Sequence, residues 1–153
     1  GPVIDRLARK GVHEYNLPLP LNDDSYNFSF SGLKSAVINL AHNCEQKKIK
    51  LNKENLAKSF QDVVVEIIVK KTMKALNDKK VKYLVIAGGV AANSGIREAL
   101  QIECKKNGIE CNYPELKYCT DNAAMIGAAA FYAYKKGITT DTTLNAISSV
   151  SLF

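Results

Sequence analysis

The chain has 153 residues, 46% of them hydrophobic and 24% charged, enough for one globular domain with a core and not the make-up of a disordered polymer. Its net charge of +6 and pI near 9.1 permit an acidic partner such as RNA or a nucleotide, but the lysines stand in scattered doublets, not in a stripe. The four cysteines (Cys44, Cys104, Cys111, Cys119) lack C-x-x-C spacing, which excludes a zinc ribbon or thioredoxin-type motif and leads us to expect a reducing, cytoplasmic setting.

The first helix opens at once, with Val3 and Leu7 on one face and Gly11 near its end. With no lead-in before it, the chain is expected to be a fragment of a longer protein. Residues 14–25 read as loop. The alternation of polar and aromatic residues from Asn27 to Gly32 predicts a short strand, and a helix is expected from Leu33 to Asn43. After the polar Glu45–Lys50 connection, Leu56, Phe60, Val63, Val64, Ile67 and Ile68 recur at helical spacing. They predict a long helix over Lys53–Asn77, with Asn52 as its N-cap.

A strand over 82–87 then runs into Gly88-Gly89 and a helix over Asn93–Lys106, which Asn107-Gly108 stops. Ile109–Tyr113 predicts a second strand, ended by Pro114. A last helix is expected from Thr120 or Asp121 to Lys136, with a polar tail from Ile138. The apolar run Ala123–Ala133 is too short to cross a bilayer and predicts a buried helix. This strand–helix–strand–helix order argues an α/β fold with parallel pairing. Ligands in such sheets sit beyond the carboxyl ends of strands, where Gly88–Asn93 and Cys119–Asn122 both fall.

Gly88-Gly89 fits neither the P-loop nor the G-x-G-x-x-G pattern. It is either an ordinary tight turn or a place where backbone approaches a ligand, with the following helix N-terminus suited to a phosphate. Asn93 is either a helix cap or a ligand contact. Asp121 is either a helix-terminal charge or one oxygen donor to a metal. Asp5, one turn into the first helix, reads as a favourable dipole charge. His13 and His42 are not at metal-ligand spacing, and His42 reads as a surface residue. No Gly-x-Ser-x-Gly elbow or Cys–His pattern is present.

Three segments stand together: Phe28-Ser29-Phe30-Ser31-Gly32-Leu33-Lys34-Ser35-Ala36, Ala87-Gly88-Gly89-Val90-Ala91-Ala92-Asn93 and Tyr118-Cys119-Thr120-Asp121-Asn122-Ala123-Ala124-Met125-Ile126. In this order they resemble the TsaD family, formerly called Gcp or O-sialoglycoprotein endopeptidase, whose archaeal and eukaryotic relatives belong to the KEOPS complex. The resemblance runs from Gly1 to about Gly137. It implies an α/β lobe of the actin/Hsp70 (RNase H-like) type, the C-terminal one of two. Such a lobe has a mixed sheet with parallel βαβ units, a helical insertion over about 33–80 and a loosely attached tail over 138–153.

The function so implied is transfer of threonylcarbamoyl from threonylcarbamoyl-AMP to N6 of an adenosine beside the tRNA anticodon. The resemblance assigns Gly1, Asp5, Gly88, Gly89 and Asn93 to the adenylate, Asp5 at its ribose. It makes Asp121 the third protein ligand of a divalent metal, iron or zinc. The family's N-terminal lobe, with its pair of metal-binding histidines, has no counterpart in these residues, so the chain alone is expected to be inactive. No protein nucleophile is required, and no catalytic residue is assigned. The implied partners are tRNA, TsaB-like and TsaE-like companion proteins and the N-terminal lobe, with no membrane. One alternative is a non-catalytic nucleotide-binding or partner-docking module of the same fold. Another is a metal-dependent glycoprotease, for which no nucleophile or H-E-x-x-H motif is present.

Overall fold

The computed structural model describes residues 1–145 and Ile147. Their elements run α1 (Pro2–Ala8), α2 (Ser31–Gln46), α3 (Lys53–Asp78), β1 (Tyr83–Val85), α4 (Ser94–Lys106), β2 (Glu110–Asn112) and α5 (Ala123–Lys135), with 3-10 turns at Gly89–Ala92 and Leu116–Tyr118. Two compact units result, one from Gly1 to Cys119 and one that starts at Thr120. Each is described by itself.

The spine of the first unit is α3, 26 residues long. Asn52 caps it as its sequence position demands, its side-chain oxygen accepting from Asn55 N at 3.1 Å. Of the apolar positions expected to face inward, Leu56, Phe60, Val63 and Val64 fall in the first of two clusters, and Ile67 is also buried. Val63 meets Leu17 of the preceding loop and Leu33 of α2, with Leu56, Phe60 and Val64 packed around them. Further along, Leu76 joins Cys104 of α4 and Ile109, with Leu84 of β1 and Cys111 of β2 against them. The loop over 14–25 is pinned to α3 by two buried polar residues. Ser59 Oγ accepts from Glu14 N and Tyr15 N, both at 3.0 Å. Lys71, only 3% exposed, donates to Asp23 Oδ1 and to the Ser25 carbonyl, each at 2.7 Å.

β1 and β2 pair in parallel, with Tyr83 opposite Glu110, Leu84 opposite Cys111 and Val85 opposite Asn112. The intervening α4 makes this a βαβ unit, the one parallel pair among the described residues. Both strands are shorter than their expected spans, because the ladder closes outside them with single bonds, Glu110 N to Lys82 O and Ile86 N to Asn112 O, each 2.9 Å.

Two expectations are corrected here. Residues 27–30 form no strand; with no ladder partner, Phe28 and Phe30 instead stack on each other at 6.3 Å, and the chain enters α2 at Ser31. The last helix is not buried: α5 has no buried residue, and Ile126, Phe131, Tyr132 and Tyr134 are exposed. An apolar helix needs a covering surface, and among the described residues of its own unit none supplies it. Of the tail expected from Ile138, residues 146 and 148–153 lie outside the described residues. Among the described residues no helix is long and apolar enough to cross a membrane.

Candidate functional site

At the carboxyl end of β1 the chain turns through Gly88, whose φ of 86° and ψ of 172° only glycine adopts without strain. The Gly88 carbonyl accepts from Ala91 N at 3.0 Å, which sets up the 3-10 turn leading to Asn93. Gly89 is different. Its φ is not in the left-handed region, and a Cβ built on either glycine meets no atom within 4 Å. Backbone geometry therefore explains a glycine at 88, while the space beside Gly89 is open.

Asn93 is the N-cap of α4, with its Oδ1 accepting from Ile96 N at 3.0 Å. Its Nδ2 donates to Gln61 Oε1 of α3 at 2.9 Å. One amide hydrogen and one oxygen lone pair remain in addition to these bonds.

Asp5 reaches this place from α1. Its Oδ1 accepts from Ser94 Oγ at 2.7 Å and from Ser94 N at 3.3 Å, and its Oδ2 receives Arg9 Nη2 at 2.9 Å. Burial would raise the carboxyl's pKa, but the hydrogen bonds from Ser94 and Arg9 and the Arg9 charge outweigh it and hold the value below 3.8. The structure thus brings Asp5 and Asn93 together at one helix start. Gly1 joins them only through the backbone, its carbonyl accepting from Asp5 N at 3.1 Å.

This arrangement corrects one expectation. The N-terminus of α4 was expected to suit a phosphate, but it already holds the Asp5 carboxylate and the Asn93 side-chain oxygen. A second anion there would meet like charge; a hydroxyl donor would meet an acceptor. Neither Ser94 nor Gln61 was singled out from sequence. Ser94 beside an N-cap asparagine carries no signal that its partner lies 89 residues away.

In the second unit, α5 starts at Ala123 and its N-cap is Asn122, whose Oδ1 accepts from Met125 N at 3.2 Å. Asp121 is therefore not the cap or a first-turn residue. It is exposed and precedes the helix by two positions. Among the described residues no three His, Cys, Asp or Glu side chains converge to hold a metal ion, so Asp121 could supply one ligand of an incomplete set. His13 instead lies 3.0 Å from Asp62 through Nδ1, and His42 is on the surface, as expected.

Comparison with known proteins adds a second line of argument. The family described as TsaD: tRNA N6-adenosine threonylcarbamoyltransferase matches residues 1–128. Proteins named tRNA N6-adenosine threonylcarbamoyltransferase are similar to this chain over 153 residues: 50% identical in Staphylococcus epidermidis, 49% in Staphylococcus aureus and 48% in Staphylococcus saprophyticus. Each alignment covers 99% of this chain and 45% of the relative, so the chain spans about half the length of the curated relatives it matches.

Proposed function

This chain belongs to the TsaD family, and we propose that it is the C-terminal lobe of a tRNA N6-adenosine threonylcarbamoyltransferase. In the parent protein the adenosine N6 amine attacks the carbamoyl carbon of threonylcarbamoyl-AMP. The bond from that carbon to the phosphate oxygen breaks, AMP leaves and the amine gives up a proton to solvent. On this reading the lobe is the second of two in an actin/Hsp70 type of fold, which enclose a nucleotide cleft in the parent. Its partners are tRNA, the N-terminal lobe and companions of the TsaB and TsaE kind.

The observation that carries the reading is the meeting of Asp5 and Asn93 at the start of α4, behind the Gly88 turn. An ionised carboxylate whose Oδ2 keeps about one lone pair beyond the bond from Arg9 is an acceptor for a ribose hydroxyl. Asn93 offers its second amide hydrogen. The open space at Gly89 lets backbone come close to the adenylate with no side chain between. These groups bind and orient; the chemistry between a mixed anhydride and an amine needs no protein nucleophile.

Asp121 is assigned as the one metal ligand this lobe contributes, on the strength of its motif. The remaining ligands belong to the rest of the parent, and the metal, iron or zinc, would act as a Lewis acid when bound. The full-length parent carrying Asp121→Ala is expected to lose bound metal, measured by elemental analysis, together with transfer to tRNA. Metal content and turnover equal to wild type would overturn the assignment.

A further inference from the structure

We infer that Arg97 is a positioning residue for the adenylate site: it sets the spacing between the two loops that leave the carboxyl ends of β1 and β2. Its Nε donates to the Ala91 carbonyl in the turn after β1. Its Nη2 donates to the Pro114 carbonyl at 2.9 Å and, also at 2.9 Å, to Cys119 Sγ, both in the segment after β2. The guanidinium lies over the Tyr113 ring, 4.4 Å from its centroid. Ala91 and Cys119 are 2% and 1% exposed, so two of these anchor points are fixed in the core.

One rigid fork thus spans both loops. The Gly88–Ala92 turn is closed locally by bonds such as Ala91 N to Gly88 O and Asn93 N to Val90 O, and this side chain links it to the neighbouring loop. Ligands of parallel α/β sheets bind beyond the carboxyl ends of the strands, and the distance between these loops is the width of that crevice on this lobe. A lysine has all its donors on one nitrogen and no plane to stack, so it cannot reproduce separate Nε and Nη2 bonds to two loops while lying flat on a ring. Arg97 touches no reacting atom in this scheme. It acts through Gly89 and Asn93.

The inference rests on the nucleotide-site reading above, and its test separates the two. The full-length parent and its Arg97→Lys and Tyr113→Leu variants are titrated with AMP by calorimetry. KM for threonylcarbamoyl-AMP, KM for tRNA and kcat are measured alongside Tm. Arg97→Lys is expected to raise the AMP Kd and the adenylate KM at least about tenfold, with kcat and the tRNA KM within about twofold. Tyr113→Leu, which removes the ring but keeps the fork, is expected to raise the same two constants about threefold. A lower Tm with unchanged Kd and KM in Arg97→Lys would mean that the residue only braces the fold, and the inference fails. Should Arg97→Lys not fold, an unchanged Kd in Tyr113→Leu overturns it equally. A wild-type parent that binds no AMP overturns the nucleotide-site reading and this inference with it.

Discussion

Asp5 and Ser94 stand 89 residues apart and share two hydrogen bonds, Ser94 Oγ to Asp5 Oδ1 at 2.7 Å and Ser94 N to the same oxygen at 3.3 Å. The contact ties α1 to the first turn of α4 and places a carboxylate where the helix dipole favours one. It also decides what the site can receive there: a donor, not another anion.

The contact should be visible in the pH dependence of stability. Asp5 has a folded pKa below its ordinary 3.8, so its contribution is present above that value and is lost as pH falls through the depressed folded one. Asp5→Ala is expected to cost about 1–3 kcal/mol at pH 7. In urea denaturation the gap to wild type should narrow below about pH 4. A gap that stays constant into acid would show that the carboxylate's charge is not what stabilises the contact.

Asn93 has two roles that substitution can part. Asn93→Ser keeps a capping oxygen, so the start of α4 should lose less than the roughly 1 kcal/mol expected of Asn93→Ala. The amide donor is lost in both. AMP affinity of the parent, followed by calorimetry, is expected to fall in both variants. Wild-type affinity in Asn93→Ser would make the residue a cap and nothing more.

Much of this was legible in the chain itself. The repeat from Leu56 to Ile68 carried α3, and asparagines at 52 and 93 marked helix starts because an Asx side chain satisfies an otherwise unpaired N–H. The parallel pair followed from the order of elements. What local pattern could not carry was pairing at a distance. Phe28 and Phe30 alternate like strand residues, but a strand exists only where another accepts its hydrogen bonds. Ala123–Ala133 is apolar enough for a core, yet composition does not say which surface covers it. Gln61, Ser94 and Arg97 reached the site through contacts with no signature in their own neighbourhoods.

The loop ahead of α2 offers a test independent of any ligand. Lys71 is 3% exposed and holds Asp23 and Ser25, while its neighbour Lys70 bonds Asn22 on the surface. Lys71→Ala is expected to lower Tm by several degrees, roughly 4 °C or more, because it empties a buried position and leaves the Ser25 carbonyl without its donor. Lys70→Ala should stay within about 0.5 kcal/mol of wild type. Equal shifts for the two would contradict the anchoring role.

The central claim is that the turn after β1 faces an adenylate, and Gly89 tests it most directly. Its backbone does not require glycine and a Cβ there meets nothing within 4 Å, whereas Gly88 has a φ of 86° and is constrained by geometry alone. The decisive measurement is AMP binding to the full-length parent and its Gly89→Ala variant, with Tm recorded for both. The account predicts an unchanged Tm and an affinity weakened at least about tenfold, because the added methyl intrudes only when a ligand lies against the backbone. Equal affinity in the two proteins would contradict it.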